Sequence, residues 1–199
     1  TLTGNSGDNR ITGGGAADNL TGLGGADTFA YTTNSDSLLA GFDKINDFVI
    51  GTDSIDASAA TLGAQISLVP GSLSSIGLTP AGVAAVNNLA IASDSWIEQA
   101  IGTHFDDVLI GNERDNLLQG NGGNDVIDGG KGQDTVLFGG RMSDYRISSS
   151  YGTVQVEAKD GQSGFATLSN VEILAFGDGS RMLLGDSAAN TLSGSAGND

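Results

Sequence analysis

The sequence predicts an all-β fold, a parallel roll of very short strands with β-rich inserts and caps and one short helix. Three observations carry this prediction. Glycine makes up 32 of 199 residues while proline makes up only 2. A nine-residue frame recurs in phase: GNSGDNRIT from Gly4, GGGAADNLT from Gly13, GLGGADTFA from Gly22, GTHFDDVLI from Gly102, GNERDNLLQ from Gly111, GNGGNDVID from Gly120, GGKGQDTVL from Gly129, GDSAANTLS from Gly185, and a truncated GSAGND from Gly194. Within it, position one is always Gly and position six is always Asp or Asn. Position eight of the complete units is always apolar: Ile11, Leu20, Phe29, Leu109, Leu118, Ile127, Val136 and Leu192.

Each part of the unit has a physical reason. Glycines permit positive φ, so the first six residues can turn tightly and bring their carbonyls together. Residues seven to nine form a short strand whose position-eight side chain points inward by strand alternation. Two units make one coil, turn-strand-turn-strand, and the coils stack. A single inward Leu, Ile, Val or Phe per strand is a thin core, and it cannot by itself offset the ordering entropy of so many glycines. A hard cation bound between stacked turns supplies the difference, because calcium takes six to eight oxygens from carboxylates and carbonyls. Plain loops between strands would need no fixed phase.

A turn should stack on the turn two units later, pairing Asn9 with Asp27, Asp107 with Asp125 and Asn116 with Asp134. The Asp107/Asp125 pair, with two full carboxylates, is the first choice for a tight site. The candidate metal-binding residues are Gly4, Ser6, Asn9, Asp18, Leu23, Gly25 and Asp27 in the first block. In the second they are Gly102, His104, Asp107, Gly111, Glu113, Asn116, Asn121, Gly123, Asp125, Gly130, Gly132 and Asp134, and in the third Asn190 and Asp199. Phe105 and Arg114 stand at position four, where a left-handed angle would cost a non-glycine residue about 1 kcal/mol or more. Their turns are expected to be distorted or weaker.

Two inserts separate the repeats. In the first, Tyr31 to Ile101, the stretch Asp43 to Asp56 reads as strands with alternating Ile45, Phe48, Ile50 and Ile55. Ile66 to Val69 reads as another strand. Thr79-Pro80 and the Ala/Val-rich run to Leu89 predict the short helix, with Thr as cap and Pro at its first position. Trp96 is expected to form a lid over the end of the roll. The second insert, Phe138 to Leu184, reads as three antiparallel strands (Tyr145 to Ser149, Val154 to Ala158, Ala166 to Phe176) with a Tyr151-Gly152 turn, capping the roll. The predicted organisation is a first block with its insert over 1–101, a second block with its cap over 102–184, and a third, truncated block over 185–199. Opening inside one repeat and stopping inside another is what a piece of a longer protein would do.

Composition narrows the function. Acidic residues outnumber basic ones 24 to 8, a net charge of -16, and 20 of the acids are Asp, mostly beside Gly and Asn. Such a field repels phosphate backbones and anionic membranes, which argues against nucleic-acid partners and favours divalent cations. No apolar run approaches a membrane span, and cysteine is absent, so neither disulfides nor thiolate metal sites are available.

The pattern G-G-x-G-x-D-x-U-x is that of RTX, or hemolysin-type, calcium-binding repeats. Gly24-Gly25-Ala26-Asp27-Thr28-Phe29, Phe42-Asp43-Lys44-Ile45-Asn46-Asp47-Phe48, Gly51-Thr52-Asp53-Ser54-Ile55-Asp56 and Ile97-Glu98-Gln99-Ala100-Ile101-Gly102 resemble the C-terminal region of serralysin-type secreted metalloproteases. The resemblance implies a right-handed parallel β-helix, several calcium ions in the turns, folding outside the cell, and export through type I secretion machinery as part of a parent protein. It also implies that Asp53 and Asp56 lie close to a further calcium or cap the roll. It does not extend to protease activity: no HExxH motif is present and His104 is the only histidine, so a three-histidine zinc site cannot be assembled. The chain is therefore expected to be a calcium-binding module and not an enzyme. The alternatives are a glycan- or protein-binding segment of an RTX adhesin or surface-layer protein, and an accessory domain of a secreted hydrolase.

Overall fold

A computed structural model describes residues 1–32, 36, 41–47, 52–77 and 87–185. The repeat strands form where the frame places them. The first block gives β1 (Leu2–Thr3), β2 (Arg10–Ile11), β3 (Asn19–Thr21) and β4 (Thr28–Ala30). The first insert adds β5 (Asp43–Ile45), β6 (Ser54–Asp56), β7 (Gln65–Ser67), β8 (Leu73–Ser74), β9 (Leu89–Ile91) and β10 (Gln99–Ile101). The second block gives β11 (Val108–Ile110), β12 (Leu117–Gln119), β13 (Gly123–Asp128) and β14 (Thr135–Phe138). After a 3₁₀ turn at Met142–Asp144 come β15 (Tyr145–Ser150), β16 (Thr153–Ala158), β17 (Gly164–Ser169), β18 (Ile173–Phe176) and β19 (Arg181–Leu183).

The strands divide between two faces. One face is a single eight-stranded sheet in the order β19-β18-β14-β12-β10-β6-β4-β2, parallel except for β18/β19. It contains strands from both sides of residue 101. The other face carries β1-β3-β5-β9-β8 and β15-β16-β17-β13-β11-β7, joined by a bridge between Gln65 and Ser75.

Register follows the two-unit coil. Ile11 pairs with Phe29, Leu109 with Ile127, and Leu118 with Val136. Every described position-eight residue is buried, Ile11 being the most exposed at 7%. The inserts extend these columns. On the eight-stranded face Phe29 stacks on Ile55, Ile55 on Ala100, Ala100 on Leu118, and Val136 on Leu174. On the other face Ile66 stacks on Leu109 and Ile127 on Leu168. A run of single side chains, one per strand, thus becomes a continuous core.

Several expectations change. Leu89 opens strand β9 and does not end a helix, and Asn87, with φ of 52°, is not helical; residues 79–86 of the predicted helix lie outside the described residues, as do Phe48 and Ile50. The predicted strand from Ala166 to Phe176 breaks at Asn170, whose φ of 50° turns the chain from β17 on one face to β18 on the other. The second insert is therefore only partly a cap. Its β15–β17 are antiparallel as predicted, yet β17 runs parallel to β13 and β18 parallel to β14, so both also serve as rungs. Trp96 is not a lid at the end. It precedes β10, in the middle of the eight-stranded sheet, with the Arg114 guanidinium 4.3 Å from its ring.

Candidate metal centre

The position-one glycines are required for space. A Cβ on Gly4 would lie 2.0 Å from Asn9 Oδ1, on Gly22 2.0 Å from Asp27 Oδ2, and on Gly120 2.1 Å from Asp125 Oδ2. The position-six side chain folds back over its own turn and occupies the volume that any side chain would need. None of these three glycines has a positive φ. The left-handed residues stand instead at position two (Gly14, Leu23, Asn121, Gly130) and position four (Gly25, Gly123, Gly132).

Two kinds of turn alternate within each stacked pair. The earlier turn is closed by its position-two side chain: the amides of Gly7, Phe105 and Arg114 donate to Asn5 Oδ1, Thr103 Oγ1 and Asn112 Oδ1 at 2.8, 3.0 and 2.8 Å. Phe105 and Arg114 therefore need no left-handed angle, and the strain expected there is absent. The later turn uses left-handed angles at positions two and four. Its position-four glycine lies flat on the earlier turn, so that a Cβ on Gly25 would meet Gly7 C at 2.7 Å, on Gly123 Phe105 C at 2.4 Å, and on Gly132 Arg114 C at 2.6 Å. Position five joins the turns as well: the amides of Ala26, Asn124 and Gln133 donate to Asp8, Asp106 and Asp115 at 2.7–2.8 Å.

Position six carries a second ladder. The Asn9 amide donates to Asp27 Oδ1 at 2.8 Å, Asp107 to Asp125 Oδ1 at 3.0 Å, and Asn116 to Asp134 Oδ1 at 2.8 Å. These are the three pairs expected from stacking. The ladder also passes through the inserts. The Asp18 amide donates to Asp43, Asp27 to Asp53, Asp53 to Glu98, and Asp134 to Glu172. One oxygen of each carboxylate is committed in this way. The other oxygen of Asp27, Asp53 and Asp134 is buried and accepts no hydrogen bond. An unsatisfied buried carboxylate oxygen is costly, and a cation against it removes that cost.

The acids concentrate at one place. Asp27, Asp47 and Asp53 are all buried, and each offers an oxygen within 4.8 Å of the other two. Oxygens bound to one ion at calcium's usual 2.3–2.6 Å lie within about 5 Å of one another, so the spacing fits. Asp47 is held by the amides of Gly22 and Leu23 at 2.7 and 3.2 Å. Burial pushes the carboxyls of Asp43, Asp53, Asp125 and Asp134 up to about 7, with neighbouring acids adding to it, and raises Asp107 and Glu98 as well. With oxygen donors only and neither thiolate nor imidazole converging, the set suits a hard cation.

The other candidate residues divide. Both oxygens of Asp107 are hydrogen-bonded, accepting from the Ala64 amide and from the Thr103 amide and hydroxyl. Asp125 accepts the Asp107 amide through Oδ1. The Asn121 side chain donates to the Gly102 carbonyl of the earlier turn at 2.9 Å. The Gly111 Cα faces the Gly129 carbonyl, and that of Gly130 faces the Asn112 carbonyl. Ser6, His104 and Glu113, all at position three, have exposed side chains, and Glu113 pairs with Lys131 at 2.6 Å. Asp56 is apart from the acidic cluster. Partial burial opposes it, but hydrogen bonds from Ser58 and Arg10 hold its carboxyl below the usual range. Asn190 and Asp199 lie outside the described residues.

Sequence reasoning passed over Asp47, Glu98, Glu172 and the position-five acids Asp8, Asp106 and Asp115. A signal for some of them was present. Asp53, Glu98 and Glu172 each stand two residues before an inward side chain (Ile55, Ala100, Leu174), which is the six-to-eight spacing of the repeat.

Residues 101–136 and 183–199 match the RTX calcium-binding nonapeptide repeat, in four copies. Residues 3–77 match the serralysin C terminal of peptidase family M10. No curated protein matches the chain. The two matched families are those that the sequence resembles, and they identify a calcium-binding module of the kind carried by secreted proteins.

Proposed function

We propose that this chain, an RTX-repeat module with a serralysin-type C-terminal segment, is a calcium-triggered folding unit that lets a larger parent protein leave the cell unfolded and fold outside it. The observation that carries the reading is the row of buried carboxylates with a committed oxygen on one side and an unpartnered one on the other. When bound, calcium supplies positive charge and coordination to these oxygens. Asp27, Asp47 and Asp53 hold one ion, and the stacked turns carrying Asn9/Asp27, Asp107/Asp125 and Asn116/Asp134 hold others. Without the ion the same residues oppose folding, because like charges are drawn into a low-dielectric stack.

Sites in extracellular modules are half-filled at roughly 10⁻⁴–10⁻³ M calcium. At far lower cytosolic calcium the turns stay open, and the chain can pass a type I secretion channel. Metal binding is then folding free energy. The test is far-UV circular dichroism during a calcium titration of chelator-treated protein, with magnesium as control. A cooperative gain of β signal with calcium and none with magnesium is the expected result. A spectrum already folded in chelator and unmoved by calcium would overturn the reading.

A further inference from the structure

We infer that Asn170 and Glu172, outside both stretches that match known families, complete a further calcium site against the turn Gly129–Asp134. The inference rests on the calcium reading above. In the repeat pairs, a fixed set of oxygens meets at the bare face of the position-one glycine. A Cβ on Gly4 would lie 2.0 Å from Asn9 Oδ1 and 2.6 Å from the Gly22 carbonyl oxygen. On Gly111 it would lie 2.5 Å from Asn116 Oδ1 and 2.0 Å from the Gly129 carbonyl oxygen. On Gly129 it would lie 2.6 Å from Asp134 Oδ2 and 2.0 Å from the Asn170 carbonyl oxygen. Asn170 thus presents its carbonyl where a repeat would present that of its next position-one glycine.

Glu172 stands correspondingly at position six. Its Oε2 accepts the Asp134 amide at 2.8 Å, just as Asp134 Oδ1 accepts the Asn116 amide at 2.8 Å. Leu174, two residues on, stacks on Val136 as a position-eight residue would. Asn170 takes the left-handed angle that Leu23, Asn121 and Gly130 take in the repeats, and its side chain is tied to Asp128 at 2.7 Å. The segment Asn170–Glu172 is therefore a shortened turn, with three residues doing the work of six.

A second observation points to a ligand. Asp134 is wholly buried and its Oδ2, which lies at this junction, has no hydrogen-bond partner. Among the described residues no Lys or Arg forms an ion pair with Asp134 or Glu172. The arrangement provides two carboxylates and a backbone carbonyl and no cation of its own, which is the chemistry of a calcium site and not of an ion pair.

The test counts ions. Native mass spectrometry and calorimetry would be run with calcium on the wild-type chain, on Glu172→Gln, and on Glu157→Gln as a control from the exposed Arg146 pair. The expected result is one ion fewer in Glu172→Gln alone, with its unfolding temperature in chelator not lowered. A full ion count with unchanged affinities in Glu172→Gln would overturn the site and leave the module's calcium function standing. Should Glu172→Gln fail to fold, Glu172→Asp keeps the charge and shortens its reach. At least tenfold weaker binding of one ion is then expected, and unchanged affinity overturns the proposal. A wild-type chain that binds no calcium would instead overturn the reading on which the proposal rests.

Discussion

Strands β11–β14 and strands β15–β19 are neighbouring parts of one roll, yet different forces hold them. Between β11 and β14 the turns bury Asp107, Asn116, Asp125 and Asp134, and the amides of Asp107, Asn116 and Asp134 donate to the carboxylates of Asp125, Asp134 and Glu172 on the next rung. In β15–β19 the antiparallel ladder closes through ordinary backbone pairing. The tight turn there is Tyr151-Gly152, with φ of 49° and 81°, the signature of a hairpin turn twisted to match its strands. Tyr145 of β15 and Phe176 of β18 pack with each other and with Phe138 at the end of β14, ring centroids 5.3–5.6 Å apart. One region completes its burial with apolar side chains. The other buries charge, and its stability depends on what lies against that charge.

The contrast can be tested at Phe176, buried in β18. Removing a packed aromatic ring costs about 3–5 kcal/mol, so Phe176→Ala should lower stability by that amount. Because no carboxylate is involved, denaturant unfolding should show a similar loss at every calcium concentration that folds the chain. A loss that vanished at saturating calcium would mean that the cap is also under metal control.

A second test sharpens the comparison by making the same substitution in both regions. On Gly123 an added Cβ would meet the Phe105 backbone at 2.4 Å at a φ of 104°, whereas on Gly152 it would meet nothing within 4 Å at a φ of 81°. Gly123→Ala should cost about 2–4 kcal/mol from overpacking and angle strain together, and Gly152→Ala about 1–2 kcal/mol from the angle alone. The calcium midpoint should move up for Gly123→Ala and stay in place for Gly152→Ala. Equal midpoints would show that the contact between stacked turns is not coupled to the metal.

The comparison can also be sharpened through its dependence on pH. In the folded, metal-free chain the carboxyls of Asp43, Asp53, Asp125 and Asp134 keep their protons up to about 7, whereas in the unfolded chain they lose them near the ordinary value of about 3.9. Between those values the folded state binds more protons than the unfolded one, so raising the pH lowers stability. Unfolding temperature in chelator should therefore fall from pH 4.5 to 7.5. Calcium competes with those same protons, so its apparent affinity should rise over that interval. Stability in chelator that instead rose with pH would show that the buried carboxyls are charged without a cation.

Much of this was legible in the residues. Phase alone identified the coil of two units, the inward side chains, and the pairs Asn9/Asp27, Asp107/Asp125 and Asn116/Asp134, because each is a local constraint repeated at fixed spacing. The turn chemistry was only half legible. Glycine at position one pointed to positive φ, whereas its role is to make room for the position-six side chain, and that contact is visible only once the turn is closed. Phe105 and Arg114 look strained in the sequence because the hydrogen bonds from their amides to Thr103 and Asn112, which close these turns without a left-handed angle, exist only once the turn has formed.

The sequence by itself determined the class of fold, the period of the roll and the hard-oxygen chemistry of its turns. Tertiary structure alone decided where the inserts rejoin it. A strand of three residues carries too little pattern to specify its partner: Gln99 stacks on Ser54 and Thr135 on Ile173 across long intervening segments, and only the growing columns of buried side chains select those registers. Those same registers bring Glu98 and Glu172 into the acidic ladder and leave particular oxygens of Asp27, Asp53 and Asp134 without partners. Periodicity is a local property that a linear chain can display. Which carboxylate oxygen is left bare depends on residues tens of positions apart meeting in space.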